Sequence, residues 1–178
     1  MATIKINSET LKENVLRLIA YDKVLLTGFI YTARDAAHKR IINVLDEGGI
    51  LPFELYGATI YYAGPTQAPK GLPIGSCGPT TSSRMDIFTP KLLDNGLCCM
   101  IGKGERSDEV VKSIVKNKAV YLCAIGGAGA LACKCIKSCE VLAYEDLGCE
   151  SIKRLYVEDF PLIVAIDSHG NNIFDKQD

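Results

Sequence analysis

The sequence lacks the features of a membrane protein and of a nucleic-acid-binding protein. Its 20 Lys and Arg residues are balanced by 21 Asp and Glu residues, for a net charge of −1, so it shows no strongly basic character. No apolar signal core follows Met1, and the longest uncharged run, 119–133, is too short and glycine-rich to span a bilayer. We therefore expect a cytoplasmic protein with no nucleic-acid or membrane partner.

Nucleotide-binding patterns are also lacking. Gly102-Lys103-Gly104 is not part of a full P-loop pattern, and Gly126-Gly127-Ala128-Gly129 lacks the Rossmann spacing. We reject nucleotide binding at both stretches. There are no internal repeats and no sign of a second domain, so we expect residues 1–178 to form a single domain.

The eight cysteines require a separate explanation. Without a signal peptide we expect reduced thiols rather than disulfides. Cys98, Cys99 and Cys123 lie in apolar strand-like runs, where cysteine usually acts as a small hydrophobic residue. The set Cys133-x-Cys135-x3-Cys139 matches neither common iron–sulfur spacing and is interrupted by lysines. We therefore predict no metal ligands in this chain and leave a redox role of the thiols open.

Hydrophobic patterning predicts strands that alternate with helices. The strands are expected at 3–6, 24–31, 59–62, 97–101, 119–125 and 162–166. Helices are expected after a cap at Ser8 or Thr10, after Arg34, from a cap at Thr89, and from a start at Ser107-Asp108-Glu109. Alternation of this kind indicates an α/β fold with a mainly parallel sheet.

A polar loop at residues 75–86 carries the side chains most suited to chemistry. Gly78 and Pro79 give it an irregular backbone, and Arg84 can bind a carboxylate or phosphate with two parallel hydrogen bonds. The hydroxyls between them belong to Thr80, Thr81, Ser82 and Ser83. The same residues also fit a plain surface turn with a helix cap and a solvated arginine. Composition alone favours the turn.

A second candidate region is the strand-to-helix corner at Arg34. The start of a helix offers free N–H groups to an anion, and Arg34 lies there. His38 follows within the same helix. A role in packing is at least as well supported for this histidine as a role in catalysis.

The run Gly78-Pro79-Thr80-Thr81-Ser82-x-Arg84-Met85-Asp86 resembles the signature of the β subunit, or C-terminal domain, of class I iron–sulfur fumarases and tartrate dehydratases. The Arg34-Asp35 corner and the Gly102-Lys103-Gly104 loop are similar to that family as well. So is the segment 147–171, and the resemblance extends over nearly the whole chain from about residue 24.

This resemblance implies a swivelling β/β/α domain and a hydro-lyase, a carbon–oxygen lyase of the tricarboxylic acid cycle that reversibly hydrates fumarate to (S)-malate. By resemblance, Thr80 is the catalytic base and Lys103 a second catalytic residue. The residues expected to bind substrate are Arg34, Thr81 and Arg84. Those expected to support the site are His38, Gly78 and Asp86.

The resemblance also implies that the active site is divided between two chains. The [4Fe-4S] cluster of the family would be liganded by a partner α subunit and not by this chain. The expected ligand is a small dicarboxylate, and the assembly could be a homodimer or an α2β2 complex. Two alternatives stay open: a tartrate dehydratase β subunit, which forms oxaloacetate, and a non-catalytic module that binds organic acids.

Overall fold

The computed structural model describes residues 2–125 and 128–176. Seven strands form one sheet in the order β1-β2-β3-β4-β5-β7-β6. Their bounds are β1 Thr3–Asn7, β2 Lys23–Thr32, β3 Thr59–Tyr61, β4 Cys99–Gly102, β5 Val120–Ala124, β6 Ile136–Ala143 and β7 Ile152–Ile166. Gly126 and Gly127, which begin the glycine turn noted in the sequence, lie outside the described residues.

Strands β1 to β5 run parallel to their neighbours, and β7 runs antiparallel to β2, β5 and β6. Because β7 pairs with both β2 and β5, the strands β2, β3, β4, β5 and β7 form a closed ring. The predicted α/β class with a mainly parallel sheet is confirmed. The sequence patterning had predicted only the last third of β7 and had not predicted β6.

The α-helices are α1 Leu11–Asn14, α2 Asp35–Asp46, α3 Thr89–Asp94, α4 Asp108–Asn117 and α5 Ala128–Cys135, and the 3-10 turns are Ser8–Thr10, Val15–Arg17, Ser82–Met85 and Glu145–Glu150. The helix start predicted at Ser107-Asp108-Glu109 is confirmed, and Ser107 caps α4. Thr10, one of two predicted alternatives, stands at the N-cap position of α1 but makes no side-chain cap hydrogen bond, whereas Asn7 caps the 3-10 turn before it. The predicted cap at Thr89 was wrong, since Thr89 is already helical.

Successive residues of the strands point to opposite faces of the sheet and contribute to two hydrophobic clusters, one on each face. Cys99 of β4 contributes to one cluster and Met100 to the other, and both are fully buried. Helices α2, α3 and α4 cover the Met100 face. Two apolar residues, Ile19 and Val115, are 43% and 40% exposed. Over the described residues, no helix has both the length and the apolarity needed to cross a membrane.

Candidate active site

Four parallel strands end at one edge of the sheet. Strands β2, β3, β4 and β5 are parallel neighbours, so their carboxyl ends share this edge, where ligands bind in α/β sheets. The loop 75–86 is attached to it: Pro79 forms a β-bridge with Ala63, and Thr80 N–H donates to the Tyr62 carbonyl at 2.7 Å. The backbone of the threonine pair is therefore held at the end of β3.

Thr81 and Lys103 lie side by side on adjoining segments. They form a parallel β-bridge, and Ser82 N–H donates to the Lys103 carbonyl at 3.0 Å. In return, Lys103 N–H donates to Ser82 Oγ at 2.9 Å. Thr81 and Lys103 are exposed, whereas Ser82 is buried. The structure thus brings two predicted site residues together and anchors them through a third that was not singled out.

Ser82 is also bound to strand β5. The Tyr121 hydroxyl lies 2.8 Å from Ser82 Oγ and 2.9 Å from the Gly104 carbonyl oxygen. Burial raises the pKa of Tyr121 well above its usual value, so the hydroxyl keeps its proton. A Cβ atom on Gly102 would lie 1.9 Å from Ser82 Oγ. Glycine is therefore needed at 102 to admit Ser82.

Two predicted substrate-binding arginines flank one carboxylate. Arg84 Nε donates to Asp35 Oδ1 at 3.1 Å, while Arg34 Nη2 lies 3.9 Å from Asp35 Oδ2. The side chain of Arg84 is 54% exposed and that of Arg34 is 24% exposed. Asp35 thereby connects the corner after β2 with the 3-10 turn that follows the threonine pair. Nothing in the order of residues singles out Asp35 as a link between them.

The side chain of Arg34 packs against the backbone at Gly64. A Cβ atom at Gly64 would lie 3.1 Å from Arg34 Cδ and 3.2 Å from the Cys149 carbonyl oxygen. Glycine at 64 therefore leaves room for the Arg34 side chain, and its neighbour Ala63 makes the bridge to Pro79.

The N-terminus of α2 already faces carboxylates of the protein itself. Ala36 N–H donates to Glu150 Oε1 at 3.4 Å, and Asp35 lies in the first turn. These negative charges complement the helix dipole. An anion at this corner would therefore meet these two carboxylates as well as the arginine side chains.

His38 is fully buried behind this corner. Its Nδ1–H donates to the Arg34 carbonyl at 2.8 Å, since a carbonyl oxygen can only accept. The ring packs on Phe88 and against the edge of Tyr62. Burial lowers the pKa of His38 to about 4, so the imidazole is neutral at pH 7. These contacts support the packing role.

Asp86, the last residue of the loop 75–86, points away from the exposed edge and forms an ion pair with the buried Arg106. Its Oδ1 accepts from Arg106 Nε at 2.6 Å, and its Oδ2 accepts from Ser107 N–H at 2.8 Å. The Arg106 side chain is fully buried and also donates to Thr89 Oγ1 and to the Tyr62 hydroxyl. Sequence reasoning missed Arg106. A buried arginine is rare enough to be informative, but only the structure reveals its burial.

The predicted residues separate into an exposed set and a buried set. Thr80 and Arg34 are partly exposed, and Thr81, Arg84, Lys103 and Gly78 are exposed at the edge. His38 and Asp86 lie behind them. A cavity of about 560 Å³ elsewhere, between segments 8–13 and 54–59, contains none of these residues. Because four of the predicted residues are exposed at this edge, the candidate site is an open surface.

The thiols do not form a ligand set for an iron–sulfur cluster. Cys133 Sγ donates to the Gly75 carbonyl and Cys135 Sγ to the Asp159 carbonyl, on different segments. Within the described ranges, no group of three or more His, Cys, Asp or Glu residues could hold a metal ion. Cys98 and Cys99 are buried in the core, in keeping with their prediction as small hydrophobic residues.

Comparison with known proteins identifies similar sequences over most of the chain. The family model described as "Fumarase C-terminus" matches residues 1–177. "Fumarate hydratase 1, mitochondrial" from Leishmania major is 43% identical over 156 residues, which are 86% of this chain and 28% of that protein. "Fumarate hydratase class I, anaerobic" from Escherichia coli K12 is 40% identical over 171 residues, 93% of this chain and 31% of that protein.

A third similar protein is close to this chain in length. It comes from Methanocaldococcus jannaschii and is named provisionally as an L(+)-tartrate dehydratase subunit beta. It is 39% identical over 171 residues, which are 93% of this chain and 88% of that protein. The chain thus spans under a third of the two fumarate hydratases but most of this third relative.

Proposed function

Because this chain belongs to the fumarase C-terminus family, we propose that it is the β subunit of a hydro-lyase that reversibly hydrates fumarate to (S)-malate. The observation that carries the proposal is the convergence at one open edge. There, Lys103 is bridged to Thr81, while Arg34 and Arg84 flank Asp35. This places hydroxyl and cationic side chains from three separate loops on a single surface.

The two arginines and Thr81 are proposed to bind the carboxylates of the substrate. A dicarboxylate that leaves water needs fixed positive charge, and guanidinium groups can bind carboxylates with paired hydrogen bonds. Arg84 uses Nε to bind Asp35, which leaves its two Nη groups to face a ligand. The Thr81 hydroxyl, on an exposed residue of the same edge, can add a hydrogen bond.

Thr80 is proposed to move the proton. When malate loses water, a proton leaves the carbon next to one carboxylate, and negative charge develops on that carboxylate. Cations that already face it stabilise this charge. A threonine hydroxyl is a weak base at neutral pH, so it must act as an alkoxide or as a relay. The Lys103 ammonium, on the segment bridged to Thr81, is the proposed source of the positive charge that this step needs.

The remainder of the site is proposed to come from an α subunit. The fumarate hydratase relatives are about three times as long as the part that this chain matches, and the M. jannaschii relative is named as a β subunit. Because no cysteine set in the described part of the chain fits a [4Fe-4S] cluster, we propose that the partner binds it.

The second candidate is a tartrate dehydratase β subunit. The observation in its favour is the M. jannaschii relative, of which this chain covers 88%. In both candidates Arg34, Arg84 and Thr81 would bind the two carboxylates of the substrate. The two candidates differ in the additional hydroxyl that tartrate would present to the site.

Anaerobic co-expression with a cluster-bearing α subunit, followed by assays on fumarate, malate and tartrate, tests the proposal. We expect hydratase activity only from the assembled pair, and a colourless, folded, inactive β chain alone. Activity on tartrate but not on fumarate would select the second candidate. Stoichiometric iron and sulfide in the isolated chain, lost on changing Cys133, Cys135 and Cys139 to Ser, would contradict the division of the site.

A further inference from the structure

Asp35 lies at the junction of two segments that carry predicted substrate ligands. It is the first residue of α2, a helix of 12 residues, and its side chain is 26% exposed. One carboxylate oxygen accepts from Arg84 Nε at 3.1 Å, and the other lies 3.9 Å from Arg34 Nη2. The carboxylate therefore faces both guanidinium groups from a rigid helical position.

The contact with Arg84 restricts a side chain that would otherwise be free to move. Arg84 belongs to a short 3-10 turn and is 54% exposed, and a long exposed side chain loses rotamer freedom when it binds a ligand. A hydrogen bond at Nε fixes the plane of the guanidinium while both Nη groups stay available. Binding to a pre-oriented group is stronger because less freedom is lost.

The contact with Arg34 is electrostatic rather than a hydrogen bond. At 3.9 Å, Arg34 Nη2 is too far from Asp35 Oδ2 for a hydrogen bond, and both Asp35 Oδ2 and Arg34 Nε are buried without a hydrogen-bond partner. A carboxylate between two cations offsets their mutual repulsion. It thereby allows both arginines to face the same ligand.

We propose that Asp35 is a positioning residue that orients Arg84 and holds Arg34 beside it for dicarboxylate binding. The proposal rests on the function proposed for this edge. Asp35 itself does not touch the substrate and takes no part in proton transfer. Its loss should therefore weaken binding more than it slows the chemical step.

The first test measures the orientation of Arg84 and needs no enzymatic activity. In protein labelled with 15N-arginine, the Arg84 Nε–H signal is assigned by its loss in Arg84→Lys. We expect hydrogen exchange at this group to be about tenfold faster in Asp35→Ala than in wild type, since a hydrogen bond protects the proton. An exchange rate within twofold of wild type would overturn the proposal.

The second test uses the assembled enzyme and a matched control. Asp146, in the 3-10 turn Glu145–Glu150, forms an ion pair with Arg40 of α2, so Asp146→Ala removes a carboxylate that pairs with an arginine outside the proposed site. We expect Asp35→Ala to raise KM for malate by about tenfold or more and to change kcat by less than about threefold. Asp35→Glu should recover most of the loss, and Asp146→Ala should match wild type.

The two proposals fail in different ways. If wild type assembled with its partner is inactive on every substrate while Arg84 exchange depends on Asp35, the proposed function fails and the orientation of Arg84 stands. If wild type is active but Asp35→Ala keeps a normal KM, or loses only kcat, the positioning role is wrong. Circular dichroism of each variant checks that the fold is retained.

Discussion

The Tyr121 hydroxyl lies 2.8 Å from Ser82 Oγ, so strand β5 holds the residue that directly follows the threonine pair. Ser82 Oγ also accepts from Lys103 N–H at 2.9 Å. One buried hydroxyl thus connects the loop 75–86 with strand β5 and with the segment that follows β4. The positions of the exposed Thr81 and Lys103 therefore depend on Ser82, which is buried and cannot contact the substrate.

Removing this hydroxyl should destabilise the fold. Ser82→Ala takes away the acceptor of Lys103 N–H and a partner of Tyr121, so we expect a loss of about 1 to 3 kcal/mol in the free energy of unfolding. Tyr121→Phe should cost about 0.5 to 1.5 kcal/mol. Denaturant unfolding of both single variants and the double variant measures the coupling. Ser83→Ala, at an exposed neighbour, is the control. Strictly additive losses would show that the two hydroxyls do not interact.

The buried pair of Asp86 and Arg106 should contribute more than an exposed pair of the same charges. Asp86→Ala leaves the Arg106 guanidinium buried without its carboxylate, and such a change typically costs about 3 to 5 kcal/mol. The exposed pair Lys116–Asp94, with side chains 71% and 46% exposed, provides the comparison. Asp94→Ala should cost about 1 kcal/mol or less. Equal losses in chemical denaturation would mean that burial of Arg106 does not determine the strength of the pair.

His38 should make stability depend on pH in mildly acidic solution. Its pKa is lowered by burial from 6.5 to about 4, so the unfolded chain binds this proton more readily than the folded chain. The stabilisation is complete above pH 6.5 and is lost as the pH falls towards 4, with a limiting slope of about 1.4 kcal/mol per pH unit. His38→Gln should remove this component of the slope. His169→Gln, at an exposed turn residue, should retain it, and identical slopes for wild type and His38→Gln would contradict the prediction.

Thr80 variants distinguish proton transfer from substrate binding. Thr80→Val is nearly isosteric but has no oxygen, whereas Thr80→Ser keeps the hydroxyl. If Thr80 is the base, Thr80→Val in the assembled enzyme should lose about 10²- to 10⁴-fold in kcat, and Thr80→Ser should keep much of it. Dicarboxylate affinity should stay within about tenfold of wild type, or about 1.4 kcal/mol. A defect confined to binding would instead make Thr80 a carboxylate ligand.

The parts of the fold that depend on local patterning could be predicted. Apolar runs located β2 to β5, and the Ser107 cap located the start of α4, because these signals lie within a few neighbouring residues. Strand β6 was missed because its exposed and partly buried residues do not alternate regularly, and charged residues lie among them. The first part of β7 was missed because Arg154 and Glu158 break its apolar run. Both strands form through pairing with distant segments.

The sequence by itself determined the chemistry at the edge. The hydroxyls of 80–83, the cations Arg34, Arg84 and Lys103, and the resemblance that connects them are all present in the order of residues. Tertiary structure decided which of these side chains meet. Asp35 and Arg84 are separated by 49 positions, and Ser82 and Tyr121 by 39, so only the closure of the sheet brings each pair into contact. Burial, which arises from the same closure, made His38 a neutral packing residue and enclosed Arg106 beneath the site.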